Sequence, residues 1–330
     1  GGNTARNPPG STCLLFHRLG LAVGVEAGNQ KDGEHRACQG SWECGRWDGM
    51  SAVLAGLYGP VSGRWGFSSG CVLAQLSYTS SSLMTLREPE IVELETPTGT
   101  MRTTVLRPAA AGRYPGLLFH SEIFQITGPI HRTAAFLAGH GFVVALPEIY
   151  HEHLPAGTVL AYDQAGSDVG NRLKTTKTVE AYDADNRAVL GFLTKHEACT
   201  GHLGSFGPCI GGHLTYRAAL QPDVAAAACF YPTDLHKRSL GAGMNDDSLA
   251  RAAEIRGELM MVFGRQDPHV PAEGREMIYQ ALTAAGVNFT WHEVNAAHAF
   301  LRDEGLRYDS ELARQMLGLT VDFFRRVLVG

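Results

Sequence analysis

The sequence predicts an α/β fold built on a mostly parallel, doubly wound sheet in a single domain. Two observations predict it: strands and helices alternate from Met84 to the C-terminus, and several of the strand segments are apolar throughout. A strand covered by helices on both sides has no need of polar alternation.

Taken in order, residues 91–95 and 101–106 alternate β-branched and polar residues around Pro97 and Gly99, a hairpin signal. Residues 114–120 (YPGLLFH) form a continuous apolar run, followed by a helical stretch at 131–139 and a strand at 142–146. The pattern then repeats as helix 179–195, strand 202–206, helix 211–220, strands 225–231 and 258–263, helix 272–285, strand 288–294 and a last helix at 310–329. Strand-to-helix crossovers of this kind bring successive strands parallel in one sheet. There are no internal repeats.

The composition divides the chain. Residues 1–83 hold 15 of the 39 glycines and four of the seven cysteines, Cys13, Cys38, Cys44 and Cys71. They lack any sustained helical or strand period and are broken by Gly and Pro, and the stretch ends in the serine tract 80–82. Residues 1–83 are therefore expected to be a disordered extension or upstream-translated sequence, and residues 84–330 the folded domain. The net charge of −5 argues against nucleic acid as a partner. No apolar run approaches the roughly 18 residues of a spanning helix, so a membrane partner is not expected either. Seven loosely spaced cysteines suit free thiols in a reducing, cytoplasmic setting, although an organellar role for the N-terminal extension stays open. The expected molecule is a monomer or weak dimer without cofactor.

The chemistry concentrates at residues 203–213, LGSFGPCIGGH. An apolar strand runs into Gly207-Pro208-Cys209-Ile210-Gly211 and a helix follows at once. This is the nucleophile-elbow pattern G-x-S-x-G with Cys in the Ser position. The flanking positions must be Gly because a Cβ there would strike adjoining backbone. A cysteine at a helix N-terminus also gains from its dipole and free N–H groups, which favour a thiolate and an oxyanion. The chain order of such enzymes is nucleophile, acid, histidine. Asp267 follows the strand at 258–263 and His298 follows that at 288–294, so both land at strand carboxyl ends, where ligands bind.

Four segments carry a family resemblance: Ser121-Glu122-Ile123-Phe124, the elbow through Gly212, Gly264-Arg265-Gln266-Asp267-Pro268-His269-Val270-Pro271, and His298-Ala299-Phe300-Leu301-Arg302. Over residues 91–329 the sequence resembles the dienelactone hydrolases (carboxymethylenebutenolidases), cysteine members of the α/β-hydrolase fold. The resemblance implies Cys209 as nucleophile, His298 as base and Asp267 as its orienter. It implies Glu122 as a carboxylate contacting the resting thiol, and the backbone N–H groups of Ile123 and Ile210 as oxyanion hole. Arg302, four residues after the histidine, would bind a substrate carboxylate. The substrate implied is a small lactone, anionic and dienelactone-like, or a small ester, opened through a thioester. Gln125 stands where the family usually has Gly, and Pro208 where it usually has an aromatic residue.

Residues 151–178 read as a polar cap loop, in which Arg172 is a candidate second carboxylate contact. His151 and His153 in that loop lack the spacing of a metal motif and are expected to be solvated. A competing reading keeps the fold without the activity, as a ligand-binding or redox-sensing protein. Retention of cysteine, acid and histidine in the right order favours the enzyme.

Overall fold

The computed structural model describes residues 85–330, together with two short strands before them. Those strands, β1 (Leu14–Phe16) and β2 (Ala22–Gly24), pair antiparallel and belong to one unit, Gly1–Leu76; everything below concerns the second, Ser77–Gly330. The expectation that 1–83 forms a disordered or upstream-translated extension lies outside the described residues.

The domain is an eight-stranded sheet. In chain order its strands are β3 (Glu90–Thr96), β4 (Gly99–Leu106), β5 (Tyr114–Phe119), β6 (Val143–Pro147), β7 (Cys199–Pro208), β8 (Val224–Phe230), β9 (Glu258–Gly264) and β10 (Phe289–Val294). Across the sheet they run β10-β9-β8-β7-β5-β6-β4-β3. All neighbours from β10 to β6 are parallel, while β4 pairs antiparallel with both β6 and β3. The chain leaves β5 for β6 on one side and returns to β7 on the other, so a topological switch point lies between β5 and β7. Ligands of open α/β sheets bind at the carboxyl ends of strands around such a point.

Among the described residues the α-helices are α1 (Gly128–Gly139), α2 (Gln164–Thr176), α3 (Val179–Lys195), α4 (Ile210–Ala218), α5 (Ala272–Ala284) and α6 (Ser310–Leu328). The apolar strands bury both faces. Leu117, Phe119, Val144 and Phe230 pack with α1 and α6, whereas Leu118, Val143 and Cys229 pack with α3 and α5. That is the period of two in a strand, with each successive side chain going to a different core. Capping fixes where helices begin: Thr178 accepts from the Ala181 N–H at 3.1 Å for α3 and Asp309 from Leu312 at 3.0 Å for α6. Among the described residues no helix is long and apolar enough to cross a membrane.

The segment 151–178 differs from the expected loop, because α2 occupies half of it. Asp163 caps this helix, accepting from the Gly166 N–H at 2.7 Å. Its glycines hid it, since Gly lowers helix propensity. They are packing residues: a Cβ on Gly170 would come within 2.6 Å of the Ile123 carbonyl oxygen. A third apolar cluster, including Ile123, Phe124, Tyr150, Leu173 and Ile210, seats α2 over the carboxyl ends of β5 and β7.

His151 is likewise not solvated but buried in an ionic cluster at the α2–α3 junction. The Lys177 side chain is fully buried, its Nζ 2.6 Å from Glu152 Oε1 and from Asp185 Oδ2 and 3.3 Å from His151 Nε2. His153 remains a quarter exposed, 3.6 Å from Glu152. Removing one partner of a buried pair leaves the other charges uncompensated. Lys177→Met should therefore destabilise the protein by about 3–5 kcal/mol, measured by urea unfolding; an unchanged midpoint would show that the cluster carries no net stability.

Candidate active site

Strand β7 ends at Pro208 and α4 begins at Ile210, leaving Cys209 alone at the turn with φ 61° and ψ −127°. A non-Gly residue in this region is strained by about 1–3 kcal/mol. The surroundings leave no alternative. The Cys209 N–H donates to the Phe230 carbonyl at 3.0 Å, and its own carbonyl accepts from Gly212 and Thr233 at 3.0 and 3.2 Å. A Cβ on Gly211 would lie 2.5 Å from the His120 oxygen and 2.6 Å from that of Ser121, and one on Gly207 would strike the Gly211 carbonyl. Ile210 is the first residue of α4, so its N–H is one of the donors a helix leaves free.

Asp267 and His298 sit beyond β9 and β10, as their spacing implied. Asp267 Oδ2 lies 2.7 Å from His298 Nδ1, and Oδ1 accepts from the His269 N–H at 2.8 Å. Both side chains are buried. Burial works against the Asp267 charge, but the His298 and His269 contacts outweigh it and hold the carboxyl below its usual range. Burial likewise opposes charge on His298, yet the negative charge available at Cys209 and bonding to Asp267 and Cys209 raise its pKa to about 10. The Tyr231 and His269 rings pack edge-on against it at 4.9 and 4.6 Å.

Cys209, His298 and His269 line one cleft of about 200 Å³, together with Glu122, Ile123, Phe124 and Arg302, and Asp267 stands behind His298. Glu122 follows β5 and is 2% exposed. Burial pushes its pKa up, opposed by the charges of Arg302 and His298. Its carboxylate accepts from the Tyr162 hydroxyl at 3.1 Å, where the resemblance suggests a contact with the thiol. Ile123 lies in the turn that Gln125 closes by donating its own N–H to the Glu122 carbonyl at 3.1 Å. Gln125 has φ 69°, a left-handed conformation that suits Gly, which accounts for the family's preference there. Arg302 lies over the Tyr162 ring, 4.2 Å from its centroid, and its loop is braced by the two-pronged pair of Arg132 with Asp303 at 2.6 and 2.7 Å.

Arg172 is not brought to the site. It is exposed on α2, whose cleft-facing stripe is Ser167, Asn171 and Lys174. At about 100° per residue, positions four and three apart share a face that Arg172 misses. Lys174 is tied to Asp234 at 2.7 Å. Neither Tyr162 nor Lys174 carried a motif in the sequence; the only signal nearby was Asp163 as a helix start. One trio, His151, Glu152 and Asp185, holds donor atoms within 4.8 Å of one another. The Lys177 ammonium already bonds all three, so these residues do not fit a metal ion.

The dienelactone hydrolase family model matches residues 101–328. The chain belongs to the dienelactone hydrolase family. A Saccharomyces cerevisiae relative named "Putative carboxymethylenebutenolidase" is 42% identical over 240 residues, covering 69% of this chain and 88% of its own. Carboxymethylenebutenolidase of Pseudomonas sp. strain P51 is 26% identical over 223 residues, covering 67% and 89%. The solved "Putative Dienelactone Hydrolase" of Klebsiella pneumoniae shares the fold, with TM-score 0.63 at 20% identity over 73% of this chain and 99% of that one. As a member of this family the protein is a hydrolase of ester or lactone bonds.

Beneath the elbow of this hydrolase lies His120, buried, with Nε2 2.7 Å from Asn186 Oδ1 and Nδ1 3.2 Å from Thr215 Oγ1. Burial lowers its pKa from 6.5 to about 4, against the raising effects of Asn186 and Asp185. Between those values the unfolded chain binds the proton and the folded one does not. The contribution of His120 is thus complete above pH 6.5 and falls by on the order of 3 kcal/mol as the pH drops towards 4. His120→Gln should flatten this part of the stability profile in urea titrations at pH 7 and 4.5. Parallel profiles for the two proteins would contradict a buried neutral imidazole.

Proposed function

We propose that this hydrolase opens a small anionic lactone, dienelactone-like, or cleaves a small ester, through a thioester on Cys209. The observation that carries the reading is the strained cysteine sharing one cleft with the hydrogen-bonded His298–Asp267 pair. Asp267 fixes the tautomer and angle of His298, which takes the thiol proton. The thiolate attacks the carbonyl carbon, and the oxyanion so formed is met by the N–H groups of Ile123 and Ile210. Collapse breaks the bond to the ring or ester oxygen, which leaves with the proton from His298. Water, deprotonated by His298, then attacks the thioester, and the thiol is released with the carboxylate product.

Glu122 stands beside this chemistry as a buried carboxylate, and Arg302 offers a cation to a substrate carboxylate. We assign the activity to residues 84–330, since every group named lies between Glu122 and Arg302. A thiol nucleophile suits enol and aryl esters, whose leaving groups need little protonation.

Cys209→Ala should lower kcat on an aryl acetate by about 10⁴-fold or more without loss of fold. In the wild type, iodoacetamide should label Cys209 ahead of Cys199 and Cys229, whose thiols burial pushes up. Equal hydrolysis by wild type and variant would remove Cys209 from the mechanism. Arg302→Ala should cost about 1.5–3 kcal/mol more in kcat/KM on a carboxylated substrate than on a neutral ester. Equal losses would refute anion recognition by Arg302.

A further inference from the structure

Tyr162 precedes α2 and joins two parts of the cleft through opposite ends of one side chain. Its ring carries Arg302: the guanidinium carbon is 4.2 Å from the ring centroid, and the Phe124 ring meets Tyr162 edge-on at 4.7 Å. Its hydroxyl lies 2.6 Å from Thr127 Oγ1 and donates to Glu122 Oε2 at 3.1 Å. A phenol has one proton to give. With that proton on Glu122, the Thr127 hydroxyl donates to Tyr162, so Thr127, Tyr162 and Glu122 form a chain of fixed direction.

The placement matters because Glu122 and Arg302 attract one another. Arg302 lies close enough for its charge to act on the Glu122 carboxyl. An unrestrained Glu122 would be an internal competitor for the cation that meets the substrate. Arg302 itself stands on a loop, with Nε given to the Glu304 carbonyl at 3.2 Å. A long side chain there loses rotamer freedom when it binds, unless a ring already holds its plane.

We propose that Tyr162 is a positioning residue for anion selectivity: its ring orients Arg302 for a substrate carboxylate, and its hydroxyl holds Glu122 away from that guanidinium. The inference rests on the assignment of Arg302 to the substrate carboxylate made above.

The test uses the full chain with 4-acetoxybenzoate and its methyl ester, a pair that differs in the carboxylate alone. Tyr162→Leu removes ring and hydroxyl and should raise KM for the carboxylate about tenfold or more, with KM for the methyl ester within about threefold. Tyr162→Phe keeps the ring and should raise KM for the carboxylate by a smaller factor. In a Glu122→Gln background the competing charge is gone, so Tyr162→Phe should then leave KM for the carboxylate unchanged. Equal changes on both substrates with Tyr162→Leu, or the same effect of Tyr162→Phe in both backgrounds, would overturn the proposal. Arg302→Ala run alongside separates the two claims. If it discriminates between the substrates and Tyr162→Leu does not, the inference about Tyr162 fails alone; if Arg302→Ala does not discriminate, the anion reading beneath it has failed.

Discussion

The left-handed backbone at Cys209 is the constraint on which the rest of the site depends. A strand that continued past Pro208 would carry the thiol into the sheet, and an ordinary turn would move it away from the carboxyl ends of β5 and β8. The sharp reversal is held from three sides, by the Phe230 carbonyl, by the Gly212 and Thr233 N–H groups, and by the missing side chain of Gly211 against the end of β5. A strain of about 1–3 kcal/mol is small beside the core that encloses it, so it persists without threatening the fold. Its effect is to hold the sulfur on a helix N-terminus and beside His298 in the cleft.

The second element of the design is the cover. Helix α2 approaches the backbone of Ile123 so closely that Gly170 has no room for a Cβ, and Tyr162 enters just ahead of that helix. The buried Lys177 cluster ties its far end to α3. Loops at strand ends thus acquire a roof whose position is set by packing at one end and by charge at the other. Between sheet and roof lie the carboxylate of Glu122 and the cation of Arg302, both within reach of one phenol. In the proposed reading the site combines a rigid reacting centre with a recognition edge built on a braced loop.

What could be read in the sequence follows from how local each signal is. The elbow was legible because Gly207, Cys209 and Gly211 are neighbours in the chain and their spacing is a steric requirement of one turn. Asp267 and His298 were legible because each directly follows an apolar strand, which places it at a known end of the sheet. Helix α3 was legible from its apolar period, and its expected bounds match Val179–Lys195. Helix α2 was not, because glycines that serve close packing look like loop residues in a one-dimensional reading. Without the helix its phase cannot be read, so the sequence points to Arg172 where the folded helix turns Asn171 and Lys174 to the cleft. His151 reads as a solvated histidine in the sequence because its partner Asp185 lies 34 residues away. Tyr162 had no signal at all, since its contacts with Glu122 and Arg302 exist only once the chain is folded.

The most direct test of the central claim is to catch the acyl group on the enzyme. During turnover of an aryl acetate, rapid acid quench followed by peptide mapping should find an acetyl thioester on the peptide that contains Cys209. The adduct should be lost on treatment with hydroxylamine, as a thioester is. Full turnover with the acetyl group on another residue, or with no adduct on Cys209 under conditions where deacylation limits the rate, would contradict the account.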